Sequence, residues 1–315
     1  MFEQQRLTEA VPLSERVSGD TSVGHSLAYC QAVETLQGVE VSPRARYLRT
    51  MFLELERLHN HIGDVGAICN DTAYALAHAH CGRMKEQLMQ LNDRLTGSRF
   101  LRGVNCVGGV ALDLSGLQLA QVEVELNTLE QDFSAIEKIV FANASLTERL
   151  ENTGILTEGI AWDHAVIGVV GRASGIDRDL RRDRPFAAYD VLQPKVALYR
   201  YGDVRARMRV RLDEIHESIR LIREVRRGLP LGRLVTRPMH EAQPGVWALS
   251  AVEGWRGEIL YVVMAGDADR IHRCKVRDPS FVNWPAIQWA ALGNIVPDFP
   301  LINKSFNLSY AGNDL

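Results

Sequence analysis

Residues 14–25 read Ser-Glu-Arg-Val-Ser-Gly-Asp-Thr-Ser-Val-Gly-His. Ser18 and Thr21 stand three apart and His25 follows four residues on, the layout of a metal-ligand motif. Neither position carries a thiolate. Soft transition metals need sulfur donors, and a neutral hydroxyl binds a divalent ion weakly. The same stretch also reads as a helix start. Ser, Thr and Asp favour N-cap positions, so Ser18 and Thr21 could cap a helix running from His25 onward.

Asp71 offers a second acidic group. In Cys69-Asn70-Asp71-Thr72 it reads as a cap for the following helix. His59 and His61 are two apart and face different sides of a helix, as do His78 and His80, so they read as packed or solvated imidazoles. Arg172, Arg178, Arg181, Arg182 and Arg184 form a basic stretch, and a run of like charge is usually a solvated face. Cys30, Cys69, Cys81, Cys106 and Cys274 are scattered with no pair three apart. That pattern fits reduced, buried thiols better than disulfides or a zinc knuckle.

The elements that must position these groups are mostly helical. Leu48, Phe52, Leu55, Leu58, Ile62 and Val65 recur at three and four, and Pro43 after Ser42 starts that helix. Residues 74–96 continue helically to Gly97. Leu119 to Val140 and Met208 to Ile222 define two more amphipathic helices, the second ended by Gly228 and Pro230. "FLRGVNCVGGVALDL" reads as a tight, irregular stretch. Residues 236–315 change character. Two or three antiparallel strands are expected there, then a tail, "DFPLINKSFNLSYAGNDL", without strong periodicity. The expected fold is mainly α, one domain over 1–315, with a helical core over 1–235 and a small β appendage.

With 315 residues, 46% hydrophobic and 24% charged, the chain can build a sizeable core. A net charge of −3 gives no signal for nucleic acid. No apolar run is long enough to cross a bilayer, and the N-terminus does not look like a secretory signal. Membrane association is therefore expected through a partner.

From "SERVSGDTSVGHSLAYCQAVETLQGV" onward the chain resembles the large subunit of NiFe hydrogenases and its relative, the 49 kDa subunit of respiratory complex I. The formate-hydrogenlyase and hydrogenase-4 type is nearest. Arg16, Gly19, His25, Ala28, Tyr29 and Ala32-Val33-Glu34 fit the family's Arg-x-Cys-Gly-x-Cys-x-x-x-His motif and its sequel. Glu54, Arg57, Leu58, Asn60 and His61 fit a family helix. Arg172, Ser174, Gly175, Asp179, Leu180, Arg181 and Tyr189 fit a segment shared by both branches, and Arg256, Gly257 and Glu258 the Arg-Gly-Glu of the complex I branch.

The resemblance implies that Ser18, Thr21, Ser309 and Gly312 stand at the four nickel-ligand positions, all without sulfur. No Ni-Fe centre, and no cofactor bound by this chain, is then expected. In complex I the vacated cavity serves the quinone headgroup, so the implied cavity residues are Gly19, Asp20, Thr21, His25, Asp71, Arg172, Asp179 and Arg181. Gly19 stands where the complex I branch has a quinone-binding Tyr, which leaves Asp20 or Thr21 as donors. Arg172 and Arg181 are expected to face the cavity and the neighbouring subunit. The implied role is a nickel-free large subunit walling the cavity beside a 4Fe-4S cluster held by a small iron–sulfur partner, with quinone binding and coupling of electron transfer to protons, Asp71 matching the proton-coupling acid of the complex I branch. Other hydrophilic-arm subunits, an antiporter-like membrane arm and a place on the cytoplasmic side of the membrane go with it. The alternative is a non-catalytic scaffold, and an active NiFe hydrogenase is disfavoured. The family also carries a β-rich region upstream of this motif, expected here on another chain or lost.

Overall fold

The computed structural model describes residues 1–314. The long helices are α1 (Ser22–Leu36), α2 (Pro43–Asp71), α3 (Ala75–Thr96), α4 (Gly116–Ala142) and α5 (Val204–Gly228), with a short α6 (Phe299–Phe306) near the end. Three strands, β1 (Trp247–Glu253), β2 (Glu258–Ala265) and β3 (Ile271–Arg277), form an antiparallel meander in the order β1-β2-β3. The architecture is mainly α with this small sheet.

Helix α2 is the axis. Ser42 caps it by accepting from the Ala45 amide at 3.3 Å, and Pro43 supplies the first helical φ. The apolar positions anticipated from periodicity all face inward. Residues 48–62 are nonetheless buried around the whole circumference, because α3 and α5 pack on different sides. The polar face of α2 (Glu54, Glu56, Arg57, His59, Asn60, His61) is therefore buried too, and such groups must find partners inside. Helix α5 meets that need. Capped by Asp203, it brings Arg211, Glu214 and Ser218 against α2.

Gly97 ends α3 in a left-handed conformation at φ 76. The irregular stretch after it holds a two-residue hairpin, Asn105–Cys106 with Gly109–Val110. The inner face of the sheet (Ala248, Val252, Ile259, Tyr261, Val263) packs on α1. One continuous apolar core runs from Leu7 to Leu308. The tail, without strong sequence periodicity, forms a helix all the same. Leu301, Ile302 and Phe306 are buried on one face of α6, and contact with α2 and α5 stabilises a helix too short to show a sequence period.

Candidate functional site

The opening motif folds as a turn in front of α1, and it does not cap that helix with its own side chains. Helix α1 begins at Ser22, and Thr21 occupies the N-cap without a capping hydrogen bond. The first-turn amides of Val23 and Gly24 instead donate to Glu56 of α2, at 2.6 and 3.0 Å. Burial pushes the Glu56 carboxyl up to about 8 against the pull of these two amides. Thr21 is thereby free to turn elsewhere. Its hydroxyl lies 3.0 Å from Asp20 Oδ1, and it accepts from Trp255 Nε1 and Arg256 Nη1, both at 3.1 Å.

The two ends of the chain meet here. Ser18 Oγ lies 3.1 Å from Ser309 Oγ and 3.0 Å from Asp20 Oδ1. Ser309 Oγ accepts from the Gly312 amide at 3.0 Å, and the Ser309 amide donates to Ser280 Oγ at 2.9 Å. The four positions Ser18, Thr21, Ser309 and Gly312 thus converge in space from segments nearly 300 residues apart.

Arg256 occupies the space beside them. It sits in the four-residue turn Gly254–Gly257 between β1 and β2. Its Nη1 and Nη2 donate to the two oxygens of Asp20, each at 2.7 Å, and its Nε donates to the Asn307 carbonyl at 2.6 Å. Nη1 also lies 3.5 Å from Ser18 Oγ. The guanidinium stacks 3.9 Å from the Trp255 ring centre. Burial opposes charge on Asp20, but the bidentate bond and charge of Arg256 outweigh it and hold the carboxyl well below its ordinary range. Asp20 is therefore an anion and an acceptor at neutral pH, not the donor expected from sequence. Its side chain is 38% exposed, against 5% for Arg256, so the pair opens to solvent at its acidic end.

The turn is held by close backbone approach. Gly168 (φ +66) packs so tightly that a Cβ there would lie 1.9 Å from the Arg256 carbonyl oxygen. Gly312 is equally confined, since a Cβ would fall 2.4 Å from Asp278 Cγ. Asp278 in turn meets His25 Nε2 at 3.0 Å, while His25 Nδ1 meets the Tyr261 hydroxyl at 3.1 Å. Burial pushes the Asp278 carboxyl up, and the combined pull of His25 and the Ser280 hydrogen bonds lowers it overall. His25 is fully buried in this line of groups.

Arg172, Asp179 and Arg181 lie in a different cluster. Arg172 donates to Glu214 (2.6 Å) and Glu253 (2.9 Å). Arg181 forms a bidentate pair with Asp179, at 2.7 and 3.0 Å. Arg57 reaches Glu214 at 3.1 Å and the Glu253 carbonyl at 2.8 Å. Glu54 completes the set with Arg57, Ser218 and Tyr189. All are sealed from water. Burial works against each carboxylate, yet the arginines hold Asp179 at about 2 and push Glu54 and Glu214 down. Only Glu253 is raised, by burial and then by Asp179. His61 has its pKa lowered by burial and its Nε2 lies 2.9 Å from Glu214. The neighbouring Arg178 and Arg182 bond Glu258 and Asp177 nearer the surface, and Arg184 is exposed. The basic stretch is thus split, two arginines inside and three outside.

Asp71 is the last residue of α2 and caps nothing, since Tyr74 precedes α3. Asn60, which donates to the Asp20 carbonyl at 2.8 Å, marks the pocket on that helix. Eleven residues of helix place Asp71 about 16 Å further along the axis. Two other acids of α2 lie on this side: Glu56, which accepts from the Val23 and Gly24 amides, and Asp64, which accepts from Asn307 at 2.6 Å and from Arg211 at 2.8 Å. Asp64, Trp255, Arg256 and Asp278 belong to the hydrogen-bonded surroundings of these positions, which the sequence does not single out as such. The Arg-Gly-Glu motif marks Arg256 as family-like, but only the fold shows where it points. Among the described residues no group of three or more His, Cys, Asp or Glu side chains is arranged to hold a metal ion, and no helix is long and apolar enough to cross a membrane.

Over residues 64–248 and 236–314 the chain matches the family described as the respiratory-chain NADH dehydrogenase 49 kDa subunit. It is 31% identical over 306 residues to formate hydrogenlyase subunit 5 of Escherichia coli (strain K12), covering 97% of this chain and 54% of that protein. Hydrogenase-4 component G of the same strain is also 31% identical, with 97% and 52% covered. An NADH-quinone oxidoreductase subunit of Clostridium beijerinckii is 30% identical, with 98% and 83% covered. The chain spans about half the length of the two Escherichia coli relatives. A chain of the membrane-bound sulfane sulfur reductase, an archaeal respiratory membrane complex, superposes with a TM-score of 0.93 at 24% identity, covering 100% of this chain and 87% of that one. That likeness speaks for the fold.

Proposed function

Because this chain belongs to the family of the respiratory-chain NADH dehydrogenase 49 kDa subunit, we propose that it is a subunit of a membrane-bound oxidoreductase complex of the hydrogenase and complex I kind. Within it, the chain is a nickel-free large subunit whose pocket lies beside an iron–sulfur cluster held by a small partner subunit. The observation that carries this reading is Arg256, a guanidinium bonded to Asp20 and Thr21 where the four ligand-position residues converge.

The donor set does not suit nickel and iron. Ser18, Thr21 and Ser309 offer only hydroxyls, and Gly312 offers nothing, with Asp278 pressed against it. Soft thiolates are what such a centre needs, and a fixed cation in the pocket repels another. The pocket suits a neutral molecule that accepts hydrogen bonds. A quinone carbonyl entering past Asp20 would meet Arg256 and Thr21, and hydrogen bonds from a guanidinium stabilise the charge that reduction adds. Asp20, its own bond to Arg256 weakened, would then become the group that exchanges a proton with solvent.

A purified complex should contain no nickel above trace. Short-chain quinone affinity should fall in Thr21→Val and again in Arg256→Gln. Stoichiometric nickel would overturn the reading. Unchanged affinity in both variants would leave the scaffold role, which one observation favours: the polar groups of this pocket already satisfy one another within the chain.

A further inference from the structure

The outer face of the three-stranded sheet has no use in that reading. Its register places residues in rows. Trp247 lies opposite Met264, and Met264 opposite Arg273. Leu249, Val262 and Lys275 form the next row, and Ala251, Leu260 and Arg277 the third. Side chains directly opposite share a face. The face is therefore an apolar stripe two strands wide, with a single file of cations along one margin. Trp247 is 59% and Leu249 52% exposed, and a hollow of about 380 Å³ lies between Trp247, Val262, Met264 and Arg273. An exposed apolar strand face of this kind marks a contact surface.

Its dimensions select the occupant. Strands stand about 4.8 Å apart, so the stripe is roughly 10 Å wide, the diameter of one helix. Three rows at about 6.8 Å spacing make it about 14 Å long, which nine or so helical residues would cover. The cations follow one side only. Arg277 is bonded to Glu258, while Arg273 has only a 3.4 Å pair with Glu3, both more than half exposed, and Lys275 is exposed. Arg273 and Lys275 are about 6.8 Å apart, close to the roughly 6 Å rise between positions i and i+4 of a helix. A bilayer would call for cations around the apolar tips, and a second copy would set like charge against like. We infer that this face docks an amphipathic helix of a partner subunit, running along the strands, with apolar residues on the stripe and acidic residues four apart over Arg273 and Lys275.

The test is a photo-reactive benzoylphenylalanine at Leu249 in the chain expressed within its complex. The expected product is one adduct to a copurifying subunit, mapped to a helix with acidic residues at i and i+4. Arg273→Glu with Lys275→Glu should lower its yield about tenfold, the effect of losing two exposed ion pairs and gaining repulsion. Both positions are exposed, so these variants leave the core intact. An adduct to lipid, to a second copy or to a segment without acidic residues overturns the inference, as does no adduct in the intact complex. Nickel content and quinone affinity do not enter this readout, so its failure leaves the pocket reading untouched.

Discussion

Two arginine–carboxylate clusters meet at one turn of the sheet, and they are built to opposite specifications. Glu253, at the start of the turn, belongs to the cluster of Arg57, Arg172, Arg181, Glu54, Asp179 and Glu214. Arg256, three residues on, belongs to the pocket with Asp20 and Thr21. The first is sealed, with each cation shared among several carboxylates. The second reaches water through Asp20. A sealed network welds α2, α5 and β1 together, because separating any member strands a buried charge. An open pair can exchange its acceptor for a ligand's. The difference teaches that burial, more than residue type, divides framework from site among similar arginines.

The comparison breaks most readily at Arg172. Replacing it with Met strands Glu214, Glu253 and Asp179, and should cost about 3–5 kcal/mol in urea unfolding. A cost under about 1 kcal/mol would mean that the sealed cluster is not a weld. Arg256→Gln should cost less, about 1–3 kcal/mol, because Asp20 can turn to water. Its effect on turnover of the complex should be larger than that of Arg172→Lys, if the latter folds. Equal losses would erase the distinction between site and framework.

Glu56 sharpens the picture through pH. Its folded pKa is raised from 4.5 to about 8, so the unfolded chain loses that proton first. Stability present at low pH therefore declines as pH rises through the window from about 4.5 to about 8, by an amount on the order of a few kcal/mol. Glu56→Gln should flatten the decline, seen as a smaller Tm difference between pH 6 and pH 9. The smallest effect belongs to Asp71→Asn. At the partly exposed end of α2, away from both clusters, it should change stability by no more than about 0.5 kcal/mol and leave quinone affinity unaltered. A loss of affinity would bring that end of α2 into the ligand's path.

The legible part of the site is the part carried by local motif. Ser18, Gly19, Asp20, Thr21 and His25 lie within one turn and the helix it opens, and resemblance pairs Ser309 and Gly312 with them. It also assigns Arg172, Asp179 and Arg181 to the same cavity, because motifs carry no distance between segments. Chain periodicity shows α2 as amphipathic, and the α5 helix as another. It cannot show that their polar faces turn toward each other, since a charge buried against a partner and a charge facing water look alike in a one-dimensional pattern.

Sequence alone determined the helical class, the order of the long helices, the strand-rich last third and the absence of sulfur at four telling positions. The first three follow from residue type and short-range spacing, which act within a few residues of chain, and the four positions are telling only through the family resemblance. Tertiary structure decided that Glu56 and not Thr21 caps α1, that α6 forms at all, and that Arg256 enters the pocket while Arg172 does not. Those outcomes depend on contacts across as many as 291 residues, where burial sets the cost of every unpaired charge.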